Sequence, residues 1–285
     1  MFPVQNPGES GLAPLAIVER TLRSADLCCS DLAWAEITSS DLALARLMNS
    51  NLADARITGC NLSGSQLACV RADRCQIVGC NCSDTNLCGA DLSGAVITSV
   101  ILDRLTACRA NWTDANLDSA KLWLADLSRG RLTRTVLRHA VLDRTTLWAS
   151  SLVDVDAFEI SLKFTDLRET ELLGCNFEGA TFLGACLRGA TALGCNFRGA
   201  DFTWAEMEGF SATQSDFRDA KMPEQRRIEF RPRGVSVPVV ARSPLHRSPL
   251  SDSELEHILL YARSAVPGPN SPVEIRKLGA YAHQS

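Results

Sequence analysis

Cys195-Asn196-Phe197-Arg198-Gly199-Ala200-Asp201-Phe202 states the rule for most of the chain: a small residue, then Asp or Asn, then Leu or Phe, then two freely varied positions. The same unit recurs as Ala25-Asp26-Leu27, Ala90-Asp91-Leu92 and Ala125-Asp126-Leu127. Outward from these cases, every fifth residue from Leu27 to Met222 is apolar, forty consecutive positions with no insertion or deletion. A period of five fits neither the 3.6-residue helical turn nor two-residue strand alternation. The chain is therefore read as a repeat before any secondary structure is assigned.

With that motif the chain resembles the pentapeptide-repeat family over about 200 of its 285 residues. The resemblance implies an all-β fold, a right-handed quadrilateral parallel β-helix. One unit forms each side, four units form a coil, and the Leu/Phe and the small residue two before it point inward. Forty units give ten coils, a rod about 48 Å long at the ~4.8 Å spacing of paired strands.

The inward positions trade volume as a close-packed interior requires. Where the central residue is Ala, its small partner grows: Val70 with Ala72, Leu105 with Ala107, Val155 with Ala157, and Phe210 with Ala212. Ala190 with Ala192 is uncompensated, which predicts a cavity or defect in that coil. Leu92, Leu127, Phe177, Phe197 and Phe202 are expected at the core.

The domain reading is an N-terminal cap over 1–22, the β-helix over 23–222, an Arg/Pro-rich linker over 223–250, and a C-terminal helix and tail over 251–285. Ser251 and Glu254 form a capping box. Leu255, Ile258, Leu259 and Ala262 then share one face of a short amphipathic α-helix. A terminal helix of this kind caps the rod or pairs with a second copy, as in gyrase-protecting relatives, so a homodimer through it is one expectation.

Of the twelve cysteines, Cys60, Cys75, Cys80, Cys175 and Cys195 fall on the small inward position and Cys82 on the central one. They read as small hydrophobes, although Cys75, Cys80, Cys82 and Cys88 imitate metal-ligand spacing. The remaining six read as unpaired surface thiols, which suits a reducing compartment. With no secretory signal in Met1–Leu12 and no apolar run of about 18 residues, the expected location is cytoplasmic, without membrane contact.

No nucleophile, metal or acid–base motif surrounds His139, His246, His257 or His283. A convex rod also lacks the concavity of small-molecule sites. The expectation is a non-enzyme without cofactor or metal.

Function then lies on the outer surface. Residues 23–101 carry 8 carboxylates against 5 cations, residues 102–144 carry 5 against 8, and residues 145–220 carry 12 against 5. Arg104, Arg109, Arg129, Arg131, Arg134, Arg138 and Arg144 make the middle a basic girdle, ahead of an acidic last third. Because every fourth unit returns to the same side, Asp156, Glu159, Glu178, Asp216 and Asp219 share one side. Asp166, Glu169, Glu206 and Glu208 share the opposite one. Two acidic stripes present a field like that of a nucleic-acid duplex and steer basic clefts. Asp before the central residue also belongs to the repeat itself, so a merely solvated acidic face is the competing explanation.

A second outward feature is apolar: Leu44, Leu124, Phe164 and Trp204, with Trp123 and Leu183 beside them. Such stripes mark contacts, with a partner, a second copy or the tail. The resemblance to Qnr-like members, especially those without loop insertions, implies a DNA mimic. Such a mimic binds a type II topoisomerase, DNA gyrase, and protects it from poisons, with no direct contact to nucleic acid. The alternative is a scaffold or interaction module with another protein partner.

Overall fold

Thirty-eight inter-turn contacts, eight strand pairs and thirty single bridges, each joining residues twenty apart, make a continuous parallel stack. The computed structural model describes residues 14–223 as an all-β parallel solenoid of about ten turns, with no helix among the described residues. Each turn takes twenty residues, four units of five, and equivalent units stack in columns. Column one is centred on Ile17 through Phe217, column two on Leu22 through Met222, column three on Leu27 through Met207, and column four on Leu32 through Ala212. Asp41 pairs with Asn61, Asn51 with Arg71 and Asp156 with Asn176, always in parallel.

Backbone hydrogen bonds weld each turn to its neighbours. In column two Leu42 N–H donates to Asn61 O at 2.7 Å, and Asn61 N–H donates back to Ser40 O at 3.0 Å. Every unit from Glu19 to Asp219 also places its last residue in the left-handed region, 29 of them non-glycine residues with φ between 49° and 63°. Left-handed backbone costs about 1–2 kcal/mol for an L-residue, but here it bends the chain so that its N–H meets the next turn, as Leu44 N–H does Ser63 O at 2.9 Å. Ala149, at φ 53°, offers a test. Ala149→Gly would cost about 1 kcal/mol inside a helix, yet here it is expected to be neutral or to stabilise by up to about 1 kcal/mol. Urea denaturation of the two proteins measures the difference.

The three-residue strands occupy one column at a time. β1 (Ala16–Val18), β2 (Glu36–Thr38), β3 (Arg56–Thr58), β4 (Gln76–Val78) and β5 (Val96–Thr98) stack in column one. β6 (Arg131–Thr133), β7 (Ser151–Val153), β8 (Glu171–Leu173), β9 (Thr191–Leu193) and β10 (Ser211–Thr213) stack in column four. Between them, residues 99–130 form a seam without a three-residue strand.

Residue chemistry follows this division. None of the ten strands begins with Asp or Asn, and all end on Val, Thr or Leu, which favour extended backbone. Where another unit begins with Asp or Asn, that side chain usually accepts the N–H two residues on, as Asp41 Oδ1 does from Ala43 at 3.0 Å and Asn86 Oδ1 from Cys88 at 3.0 Å. That Asx arrangement holds a turn. The turn in addition closes a backbone bond, for example Ala45 N–H to Leu42 O at 3.0 Å.

Extended units lack this closing bond, and at four of them the N–H that would have made it is met by a side chain of the adjacent turn. Ser40 N–H reaches Cys60 Sγ at 3.4 Å, Cys60 N–H reaches Cys80 Sγ at 3.3 Å, and Cys195 N–H reaches Ser215 Oγ at 3.1 Å. These cysteines are buried, as expected, but they are also hydrogen-bonding spacers at strand ends, a role that hydrophobicity alone does not describe.

The core is one continuous cluster. Leu92, Leu127, Phe177, Phe197 and Phe202 are all buried. Phe177, Phe197 and Phe217 stack in column one at centroid spacings of 5.4 and 4.8 Å, and Phe182 stacks on Phe202 in column two at 4.6 Å. The compensating pairs Val70–Ala72, Leu105–Ala107, Val155–Ala157 and Phe210–Ala212 are buried throughout. Over β8–β10 the outer surface carries a depression of about 380 Å³ lined chiefly by the outward-facing Glu171, Leu173, Thr191, Leu193, Ser211 and Thr213, while the uncompensated Ala190 and Ala192 are buried. Trp112 carries an indole N–H without a hydrogen-bond partner, and its burial is complete.

One boundary and one pair of thiols differ from expectation. Ala16 already pairs with Glu36, so residues 16–22 belong to the first turn and not to a separate cap. Six surface thiols were expected to be unpaired, yet Cys88 and Cys108 are joined as a disulfide between adjacent turns, because equivalent positions of neighbouring turns bring their Cα atoms to 4.6 Å, within reach of an S–S bond. The linker, the helix read over 251–262 and its dimerisation lie outside the described residues. Among the described residues no helix is long and apolar enough to cross a membrane.

Candidate interaction surfaces

Central residues and the small residues before them are consumed by the core, so chemistry can only be carried by the three outward positions of each unit. The carboxylates expected to form a stripe in column one are Asp156, Glu159, Glu178, Asp216 and Asp219. Those in column three are Asp166, Glu169, Glu206 and Glu208. Twenty-residue stacking places both sets as expected, half a turn apart on the same turns.

Their charges are not equally available. Asp156 lies 3.6 Å from Arg138 and accepts a bond from Asn176 at 3.2 Å. Glu159 sits 3.4 Å from His139, Asp166 is held by Arg168 at 2.7 Å, and Glu206 by Arg188 at 2.9 Å. Asp216 is gripped by Arg218, whose hydrogen bonds hold its carboxyl below the usual range. Glu169 and Asp219 are exposed and carry no ion pair; Glu178 has only Asn196 Nδ2 at 3.1 Å. Glu208 is likewise exposed without an ion pair. The two expected stripes therefore reduce to Glu178 and Asp219 in column one and Glu169 and Glu208 in column three, beside Asp154 and Glu171, which are exposed in column four.

The girdle is also partly neutralised. Arg104 binds Asp84 through two hydrogen bonds of 2.7 Å, and Arg134 binds Asp114 at 2.6 and 2.7 Å. These bonds lower the carboxyl pKa of Asp84 and Asp114 and raise those of the arginines. Each pair is twenty residues apart in one column, a spacing visible in the sequence once the turn length is known. Arg129 instead lies over the Trp148 ring at 4.5 Å, and Arg138 over Phe158 at 5.6 Å.

The apolar stripe is built in column two. Leu124 and Trp204 are 41% exposed and Trp123 is 40% exposed, values high enough to leave their rings and methyls available to a partner. Phe164 and Leu183 are half-buried. Phe164 lies flat across Gly184, where an added Cβ would come within 2.6 Å of the ring. A side chain at position 184 would have to displace the Phe164 ring of the preceding turn. Leu44 covers Gly64 in the same way, at 2.7 Å.

Twenty-residue turns, an inward Leu/Phe at every fifth position and a left-handed residue closing each unit together define the motif. The pentapeptide-repeat family model matches residues 45–81, 75–111, 159–191 and 195–223. The chain belongs to the pentapeptide-repeat family. Among solved pentapeptide-repeat structures it is similar to HetL, a protein involved in heterocyst differentiation regulation in the cyanobacterium Nostoc. That likeness has 25% identity, covers 70% of this chain and 89% of HetL, and has a TM-score of 0.56. It also matches full-length QnrB1, a plasmid-mediated fluoroquinolone resistance protein, at 15% identity over 88% of this chain and 100% of QnrB1, with a TM-score of 0.37. No curated protein matches.

Within the pentapeptide-repeat frame the cysteines separate into two chemical groups. Burial pushes the thiols of Cys75 and Cys82 up to about 12, which keeps them protonated and unreactive at neutral pH. Cys69 is exposed and Cys88 and Cys108 are half-exposed, all three in column three. Of the four cysteines with metal-like spacing, Cys75, Cys80 and Cys82 point inward and Cys88 outward into its disulfide.

Proposed function

We propose that this pentapeptide-repeat protein is a non-catalytic DNA mimic whose C-terminal turns enter the basic cleft of a type II topoisomerase, DNA gyrase, and protect it from topoisomerase poisons. The observation that carries the reading is the pair of uncompensated carboxylate lines, Glu178 with Asp219 and Glu169 with Glu208, half a turn apart on the same turns. Charges placed along both flanks of a narrow rod meet both walls of a cleft at once, as the two strands of a duplex do. Pairing of Arg104 and Arg134 with Asp84 and Asp114 supports the same reading, since it lowers the repulsion that a bare basic girdle would exert on that cleft.

The experiment is supercoiling by purified gyrase with and without a quinolone, titrated with this protein at low and moderate salt. Protection of the poisoned enzyme, weakening as salt screens the charges, is the expected result. Replacing Glu169, Glu178 and Asp219 together by Lys should weaken it at least tenfold while leaving the thermal midpoint within a few degrees, because all three lie outside ion pairs. Protection unchanged by the triple replacement would end the DNA-mimic mechanism.

Exposure of Leu124, Trp123 and Trp204 favours a second reading, a scaffold that holds another protein through column two. On that reading gyrase is unaffected, and Trp204→Ala, not charge reversal, abolishes partner binding.

A further inference from the structure

Cys69, Cys88 and Cys108 occupy three successive turns of column three. Cys69 N–H donates to Cys88 O at 2.9 Å, and Gly89 N–H donates to Cys108 O at 2.9 Å. The sulfur of Cys69 leans over the next turn: a Cβ at Gly89, beside Cys88, would lie 3.4 Å from it. Cys88 and Cys108 are bonded, half-exposed and reachable by solvent. A disulfide with a third thiol along the same column is an arrangement for exchange and not only for bracing.

Its position adds a second observation. Cys88 stands on the turn that opens with β4 and Cys108 on the turn that opens with β5, the last strand of column one, where the strandless seam of residues 99–130 begins. The bond therefore staples together the last two turns of the first sheet, at the edge of the seam beyond which the extended column changes.

We propose that these three sulfurs form a reversible redox site for low-molecular-weight thiols and disulfides of the glutathione class. In reduction, one glutathione thiolate attacks a sulfur of the disulfide, the S–S bond breaks, and its electron pair leaves on the other cysteine, which takes up a proton. A second glutathione attacks the mixed disulfide, releasing glutathione disulfide and leaving two cysteine thiols. Internal exchange needs no other reagent: Cys69 thiolate attacks Cys88, a Cys69–Cys88 bond forms, and Cys108 leaves as the thiolate and takes the proton that Cys69 gave up.

The test equilibrates the full chain in glutathione buffers of increasing reduced-to-oxidised ratio. Quenching with acid, alkylation under denaturing conditions and peptide mass spectrometry then follow. Expected is a two-electron transition in which Cys88 and Cys108 become alkylated together, with the thermal midpoint of the reduced form lower. Cys108→Ser is expected to yield a Cys69–Cys88 cross-link in oxidised buffer. Cys88 and Cys108 alkylated at every ratio, or bonded at every ratio, would overturn the reversible site. Absence of the cross-link in Cys108→Ser would remove Cys69 from it.

Discussion

Phe197→Ala is expected to lower the unfolding free energy by about 3–5 kcal/mol, the largest single-residue effect in the rod. Phe197 is fully buried, stacks between Phe177 and Phe217, and meets Phe182 and Phe202 edge-on at 5.9 and 5.6 Å. Its removal deletes one rung that touches four others. Flanking backbone is pinned by inter-turn bonds such as Phe197 N–H to Asp216 O at 2.7 Å, so the walls cannot close on the void. Since each turn contacts only its neighbours, the loss should concentrate there. Urea denaturation gives the total, and hydrogen exchange should show the turns after residue 175 opening before those of the first sheet. A loss below about 1 kcal/mol, or uniform exchange along the rod, would mean that the aromatic ladder is not what holds these turns.

Leu142→Ala is expected to cost about 2–5 kcal/mol, and adding Ala140→Leu should return at least half of it. Both native residues are fully buried. The chain already contains the inverted arrangement at Leu105 with Ala107, also fully buried, so the unit accepts its bulk at either inward position. Ala140→Leu alone overfills the turn and should cost about 1–3 kcal/mol. A double-mutant cycle therefore carries a coupling of opposite sign to the two single losses. Additive losses would show that inward volume is not exchanged within a unit, and that the four compensated pairs of this chain arise for another reason.

The repeat was legible because burial imposes it: one inward apolar residue per five leaves the same mark forty times. Volume exchange between the inward positions followed from the same accounting. Pairing of Arg104 with Asp84 and of Arg134 with Asp114 was equally present in the residues, but only as a separation of twenty, which has meaning once turns are stacked. The acidic stripes were placed correctly by phase, yet their strength was overestimated. Phase says where Asp166 and Asp216 sit but not that Arg168 and Arg218 fold back on them.

Thr181-Phe182-Leu183 marks the limit of local reading. It has the composition of a strand, with no Asp or Asn at its start and Leu at its end, and it forms a turn. Ser161 and Asp201, its bridge partners in the adjacent turns, begin turns too, and a parallel stack bonds well only when neighbouring units share a backbone shape.

By itself the sequence determined the five-residue phase and the inward set, because both are consequences of burying one apolar residue per unit; the four-unit turn, and with it the column of each outward charge, was what the family resemblance implied. Only the tertiary structure decided which column is extended, where that column changes, which carboxylates are neutralised, and that Cys88 meets Cys108. These depend on contacts between residues about twenty apart in the chain, whose energies are set by the neighbouring turns and not by the unit itself.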